Sequence, residues 1–190
     1  MGQVKCNLQD FPYLIFIMMT EYKRPQTGDY APFYGKYVEL VEEGDLVRIL
    51  RLAAFETIVL LENLNEKQWM HRYETGKWSI KEVMLHLIDT ERIMAYRALR
   101  FSRNDTTELA GFDQDAYVPH SEADARSSRS IIEEYQAVRN ASVQLFRNLP
   151  EPAWEKKGVA SKHVVTVRAL AYIIAGHEKH HLNIIKTRYL

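Results

Sequence analysis

Apolar residues recur at helical spacing in four stretches of the chain. Leu46, Ile49, Leu50, Ala53, Leu60 and Leu61 fall on one helical face, and Asp45 just ahead of them predicts an N-cap. That helix is expected to reach about Asn63. A second is predicted from Ser79, where Ser79-Ile80-Lys81-Glu82 reads as a capping box, to about Phe101, with Ile80, Val83, Leu87 and Met94 inside. A third begins near Ser130, on the box-like Ser130-Ile131-Ile132-Glu133, and ends before Pro150. A fourth runs from Val167, capped by Thr166, to about Arg188. Strand-like alternation is scarce; Lys162 to Val167 comes nearest and is discounted. The pattern therefore predicts an all-α four-helix bundle.

Residues 1–28 read as an extension ending in the turn-rich Arg24-Pro25-Gln26-Thr27-Gly28, ahead of a domain spanning 29–190. Between the second and third helices lies a polar loop, Ser102 to Ser128. It is too long for a mere connection, and loops of that length often carry function.

Composition narrows the class. Hydrophobic residues make up 46% and charged residues 26% of the 190, a globular balance. Twenty-five basic residues match 25 acidic ones, so nothing electrostatic calls for a nucleic-acid partner. Cys6 is the only cysteine, which forbids an intramolecular disulfide and suits a reducing compartment. The apolar run Phe11 to Met19 is far shorter than the ~20 residues of a spanning helix. Lys5 is the only base before it, and no small-residue cleavage site follows, so a signal peptide is not expected. The expectation is a cytoplasmic protein with no membrane partner, and Met18 or Met19 is an alternative natural start.

The candidate chemistry lies in the histidines. With His177 as the zero of the helical wheel, the apolar stripe of Leu170, Ile173, Ile174, Ile184 and Ile185 centres near about +20°. His177 and His181 (at about +40°) fall inside it, and His180 (at about −60°) falls at its edge. Two imidazoles in an apolar stripe are costly to bury unless something takes their lone pairs, and a metal ion does. His86 is the candidate third ligand. On the same arithmetic it lies about 80° from the centre of its own stripe, a boundary position. Three imidazoles would leave coordination positions for water or substrate.

Other residues have plainer expectations. Glu178 and Lys179 read as solvated charges, with Glu178 also able to hydrogen-bond a ligand imidazole. Tyr96, Met94 and the leucines read as core, and Trp69, Trp78 and Trp154 as packing anchors. His71, His120 and His163 carry no spacing signal, and Cys6 has no nearby histidine to activate it.

Three stretches together resemble the DinB/YfiT-like metalloenzyme family. They are Gly76-Lys77-Trp78-Ser79-Ile80-Lys81-Glu82-Val83 followed by His86-Leu87-Ile88-Asp89-Thr90-Glu91, then Gly111-Phe112-Asp113-Gln114-Asp115-Ala116-Tyr117, and Val167-Arg168-Ala169-Leu170 leading to Gly176-His177-Glu178-Lys179-His180-His181-Leu182-Asn183. The likeness spans about Tyr30 to Leu190. It implies an up-down-down-up bundle, frequent homodimerisation, and one divalent metal (zinc, nickel or iron) on His86, His177 and His181.

The family includes transferases and isomerases that use low-molecular-weight thiols such as bacillithiol or mycothiol, and many members described only as metal-dependent hydrolases. The leading expectation is a thiol-dependent S-transferase acting on a small molecule. The alternatives are a metal-dependent hydrolase, in which the metal activates water to hydroxide and Glu178 or Asp113 accepts a proton, and a non-enzymatic metal-binding stress-response module. Arg97 and Arg168 are candidates to receive an anionic thiol cofactor, and Asp113 and Tyr117 are candidates for a lid.

Overall fold

The computed structural model describes residues 23–190, so the apolar run at 11–19, Cys6 and the alternative start sites lie outside the described residues. In chain order the elements are α1 (Gly35–Val38), α2 (Leu46–Glu62), α3 (Glu66–Trp69), α4 (Ile80–Ser102), α5 (Gln114–Tyr117), α6 (Ser128–Arg147), α7 (Glu151–Trp154), β1 (Lys157–Ala160), β2 (His163–Thr166) and α8 (Val167–Ile184). Four helices are long, and they make a four-helix bundle. α2 and α4 each pack against both α6 and α8, so the consecutive long helices α2 and α4 lie across the bundle from one another.

Local chemistry sets the helix starts. The Asp45 carboxylate accepts from the backbone N–H groups of Val47 and Arg48, and Thr166 accepts from Ala169. Ser79 and Glu82 form the capping box expected of them. The third helix departs from expectation: its cap is Ser127, which accepts from the Ser130 N–H. Glu133, the supposed partner of Ser130, instead pairs with Arg129 one turn earlier.

The discounted strand does form. β1 and β2 pair antiparallel from Lys157 opposite Thr166 to Ala160 opposite His163. The turn between them puts Ser161 and Lys162 both at positive φ, 52° and 67°, the geometry that matches strand twist in a two-residue hairpin. Glycine and asparagine usually signal that turn, and Ser-Lys does not.

Two apolar clusters fill the bundle. One holds Leu50, Met94, Val143, Phe146, Trp154 and Ala175; the other holds Leu61, Trp69, Ile80, Ile88, Tyr135 and Leu182. Trp69 and Trp154 are buried anchors, as expected, and Met94 is core. Tyr96 and Leu99 are not core: they are 50% and 39% exposed, because they lie on the side of α4 turned away from α6 and α8. Along each long helix, buried polar residues fall between the two clusters: Thr57 on α2, Glu91 on α4, Arg139 on α6 and Glu178 on α8.

The segment ahead of α1 is tied to the bundle on both sides of the expected boundary between residues 28 and 29. Arg24 donates from Nη2 to the Val41 carbonyl at 2.9 Å, and the Thr166 N–H donates to the Asp29 carbonyl at 3.0 Å. Among the described residues, no helix is long and apolar enough to cross a membrane.

Candidate metal centre

α4 and α8 bring His86, His177 and His181 together. His177 Nε2 lies 2.9 Å from His86 Nε2 and 3.0 Å from His181 Nε2. One ligand-type nitrogen from each ring falls within 4.8 Å of the others. His86 is 4% exposed rather than a boundary residue. The wheel placed it at the edge of one stripe, but α4 is flanked by α6 and α8 and is buried on more than one face. The edge of its first stripe is the seam with α8.

The donor set fits a metal ion. Two nitrogens each about 2.0–2.1 Å from one ion, at angles between a right angle and the tetrahedral value, stand about 2.8–3.4 Å apart. Hydrogen bonding alone accounts for less of the geometry. A neutral imidazole Nε2 carries either one proton or one lone pair, so His177 Nε2 can satisfy only one of its two neighbours. A cation bound between the three rings would take one lone pair from each.

Burial keeps the rings neutral. Desolvation lowers His86 to about 4 and His181 to about 3, and pushes His177 well below its ordinary value with help from its two neighbours. Neutral imidazoles keep the lone pairs that a metal needs. His180 is not among the three clustered rings; its ring stands 5.3 Å from that of Tyr37. Trp78 lies 5.0 Å from the His86 ring, closing the site at the start of α4.

A close backbone approach seats α1 over the centre. A Cβ on Gly176 would fall 2.0 Å from the Tyr37 carbonyl oxygen, so only glycine lets α1 sit this near α8. The Tyr37 ring then packs edge-on against His177 at 5.1 Å.

Two cavities flank the histidines. On the His177 side is a space of about 500 Å³ walled by Phe33, Tyr34, Lys36 and Tyr37, by Thr90, Met94 and Ile173, and by Gly111 to Gln114 with Ser161. On the His181 side a second, of about 250 Å³, is walled by Tyr73, Lys77, Trp78, Asp115, Ile184 and Tyr189.

The four candidate substrate residues sit variously around these spaces. Asp113 lines the larger cavity, and its Oδ1 accepts from the Asp115 and Ala116 N–H groups as the cap of α5. Tyr117 is exposed and packs on Phe112, 5.6 Å away, without lining either cavity. Arg97 is buried behind the wall, donating from Nη2 to the Ala110 carbonyl at 2.9 Å and to Ser161 Oγ at 3.0 Å. It holds the 102–128 loop to the hairpin. Arg168 borders neither space, and its Nη1 pairs with Glu155 at 2.8 Å.

A further expectation is overturned. Glu178 is not a solvated charge but is 2% exposed. Its Oε1 accepts from Thr57 Oγ1 at 2.7 Å and from the Tyr135 hydroxyl, and its Oε2 accepts from Arg139 Nη1 at 2.7 Å. Arg139 also holds Glu91 and donates to the Leu50 carbonyl at 3.0 Å. Residue-by-residue reading missed Arg139 and Glu91, although a signal exists: Arg139 continues the apolar series Ile131, Tyr135, Val143 and Phe146 on α6. A charge inside an apolar stripe asks for a buried partner. Lys179 is exposed, as expected.

Comparison with known proteins places this geometry in a family. A protein from Oceanobacillus iheyensis, named as an inferred metal-dependent hydrolase, is 23% identical over 129 residues, covering 66% of this chain and 73% of its own length. YfiT from Bacillus subtilis, described as "a probable metal-dependent hydrolase with an unusual four-helix bundle topology", superposes with a TM-score of 0.68 at 17% identity, over 87% of this chain and 90% of that one. A mycothiol-dependent maleylpyruvate isomerase superposes with a TM-score of 0.60 at 9% identity, over 72% of this chain and 57% of the other. A DinB-like protein from Bacillus subtilis gives 0.56 at 15% identity, over 76% of this chain and 88% of that one. The family described as the DinB superfamily matches residues 50–185, more than half of the sequence, and includes both α4 with His86 and α8 with His177 and His181. The chain belongs to the DinB superfamily.

Proposed function

We propose that this protein is a metal-dependent enzyme in which His86, His177 and His181 hold one divalent ion, and that it transfers a low-molecular-weight thiol to a small electrophile. The observation that carries the transfer reading is the pair of cavities. The histidine cluster borders one of about 500 Å³ and another of about 250 Å³, room for two small molecules to meet at one centre. A divalent metal held there would lower the pKa of a bound thiol or water and so supply a nucleophile at neutral pH. The chain's own residues do the rest. Phe33, Tyr34, Tyr37 and Met94 give the larger cavity an aromatic and apolar wall, Lys36 brings a cation to its lining, and Lys77 brings one to the smaller cavity. Lys36 and Lys77 thus take the role first expected of Arg97 and Arg168, whose guanidinium groups are committed elsewhere.

A hydrolase is the second reading. Asp113 favours it, since this acidic residue and His177 line the same cavity, where a carboxylate could accept a proton. The names given to the Oceanobacillus protein and to YfiT favour it too, whereas that of the isomerase points to thiol chemistry. A homodimer in the cytoplasm remains part of this proposal; the exposed Leu52, Phe55 and Val59 on one face of α2 offer an apolar strip for a second copy.

The deciding experiment uses cobalt-substituted protein. Titrating a carboxylate-bearing thiol should produce a sulfur-to-cobalt charge-transfer band, and a supplied electrophile should then be consumed with loss of free thiol. Bound cobalt with no such band at millimolar thiol would end the transferase reading and leave hydrolysis in front.

A further inference from the structure

Between α4, α6 and α8 lies a small cavity of about 10 Å³, bordered by Thr90, Glu91, Arg139, His177 and Glu178, with Leu87 closing one side. That is about the volume a single water needs, and water occupies such a space only where two to four polar partners face it. Thr90 supplies one. It is 5% exposed, and its Oγ1 has no hydrogen-bond partner among the described residues. A buried hydroxyl is rarely left in that state.

The carboxylates supply more. Arg139 uses Nε and Nη2 on Glu91 and Nη1 on Glu178. Each carboxylate oxygen has two acceptor sites, so both oxygens of Glu91 and Oε2 of Glu178 retain one beyond the bond to Arg139. The three side chains also sum to one net negative charge, buried beside the proposed cation site.

The fourth wall is His177 itself. Its Nε2 is the atom that meets His86 and His181, so in the ligating tautomer the ring proton sits on Nδ1 and needs an acceptor.

We propose that this cavity holds one water, which accepts from His177 Nδ1 and joins that ring and Thr90 Oγ1 to the Glu91–Arg139–Glu178 carboxylates. Thr90, Glu91 and Glu178 are then positioning residues for a metal ligand. They fix the His177 tautomer, orient its ring and make Nε2 more basic, while Arg139 holds the carboxylates in place. This inference rests on the metal-centre reading above.

The test combines crystallography of the zinc-loaded chain with zinc affinity by chelator competition, in the wild type, Thr90→Val and Thr90→Ser. The expected density is one water within about 2.7–3.2 Å of Thr90 Oγ1, His177 Nδ1 and a carboxylate oxygen of Glu91 or Glu178. Thr90→Val keeps the shape and removes the hydroxyl. It should lose the water and weaken zinc binding by about 10-fold or more, the usual scale for an outer-shell partner, while Thr90→Ser restores both. The cobalt d–d bands should shift in Thr90→Val and not in Thr90→Ser, a signature that a purely structural threonine would not produce. Glu178→Gln should weaken zinc in the same direction. If that variant does not fold, the threonine pair still decides. A dry cavity, or zinc affinities alike in wild type, Thr90→Val and Thr90→Ser, would overturn this proposal alone. A wild type that takes up no zinc would overturn the metal-centre reading and this one with it.

Discussion

Arg139 grips Glu91 with two parallel hydrogen bonds, Nε to Oε1 and Nη2 to Oε2, each 2.8 Å long, between side chains 3% and 4% exposed. A third bond, from Nη1 to Glu178, ties α6 to α8 as well as to α4. With its further bond to the Leu50 carbonyl of α2, the guanidinium joins all four long helices at mid-height, between the two apolar clusters. Arg139→Met leaves two buried carboxylates without their cation, and we expect it to cost about 3–5 kcal/mol of unfolding free energy. Urea denaturation followed by circular dichroism measures this. A loss under 1 kcal/mol, well below that range, would show that the carboxylates find other partners or water.

The three histidines should be unequal to their neighbour. His86→Ala, His177→Ala and His181→Ala each remove one of three nitrogens and should each strongly reduce metal content. His180→Ala removes a ring that stands outside the cluster and should retain it. Elemental analysis of protein purified without affinity metals gives the comparison. Metal lost from His180→Ala and kept in His181→Ala would reverse the assignment of helical faces.

Chelation should soften the bundle without unfolding it. A ligand bound only to the native state, present at 100 times its dissociation constant, stabilises by about 2.7 kcal/mol. For a chain of this size that corresponds to about 5–10 °C of melting temperature. The apolar clusters do not depend on the ion, so far-ultraviolet circular dichroism at 25 °C should be unchanged. Collapse of the helical signal on chelation would mean that the histidine layer organises the fold.

Gly176→Ala tests the seating of α1. The added methyl would meet the Tyr37 carbonyl at 2.0 Å, and neither backbone can yield without α1 lifting from α8. We expect about 1–3 kcal/mol of destabilisation, the usual range for overpacking, with weaker binding of any ligand seated against Tyr34 and Tyr37. A crystal structure of the variant with α1 in place would refute the displacement.

Much of this protein is legible in its sequence, because helix periodicity and caps are local. The starts of α2, α4 and α8 follow from apolar spacing and from Asp45, Ser79 and Thr166, whose side chains satisfy N–H groups two or three residues away, although α8 gives way to a π-helical turn at Ile185 short of the expected Arg188. The pairing of His177 with His181 is equally local, since residues four apart share one helical ridge.

What needed the tertiary structure was every property set by a second helix. His86 reads as a boundary residue on its own wheel and is buried because α8 covers that edge of α4. Glu178 reads as solvated and is buried because Arg139 lies 39 residues away in sequence and 2.7 Å away in space. The β1–β2 hairpin hides in the sequence because Ser161 and Lys162 take left-handed conformations that their residue types do not advertise. Periodicity reports where a side chain points around its own axis. Only packing decides what stands opposite, and burial energy, charge pairing and metal geometry all depend on that opposite group.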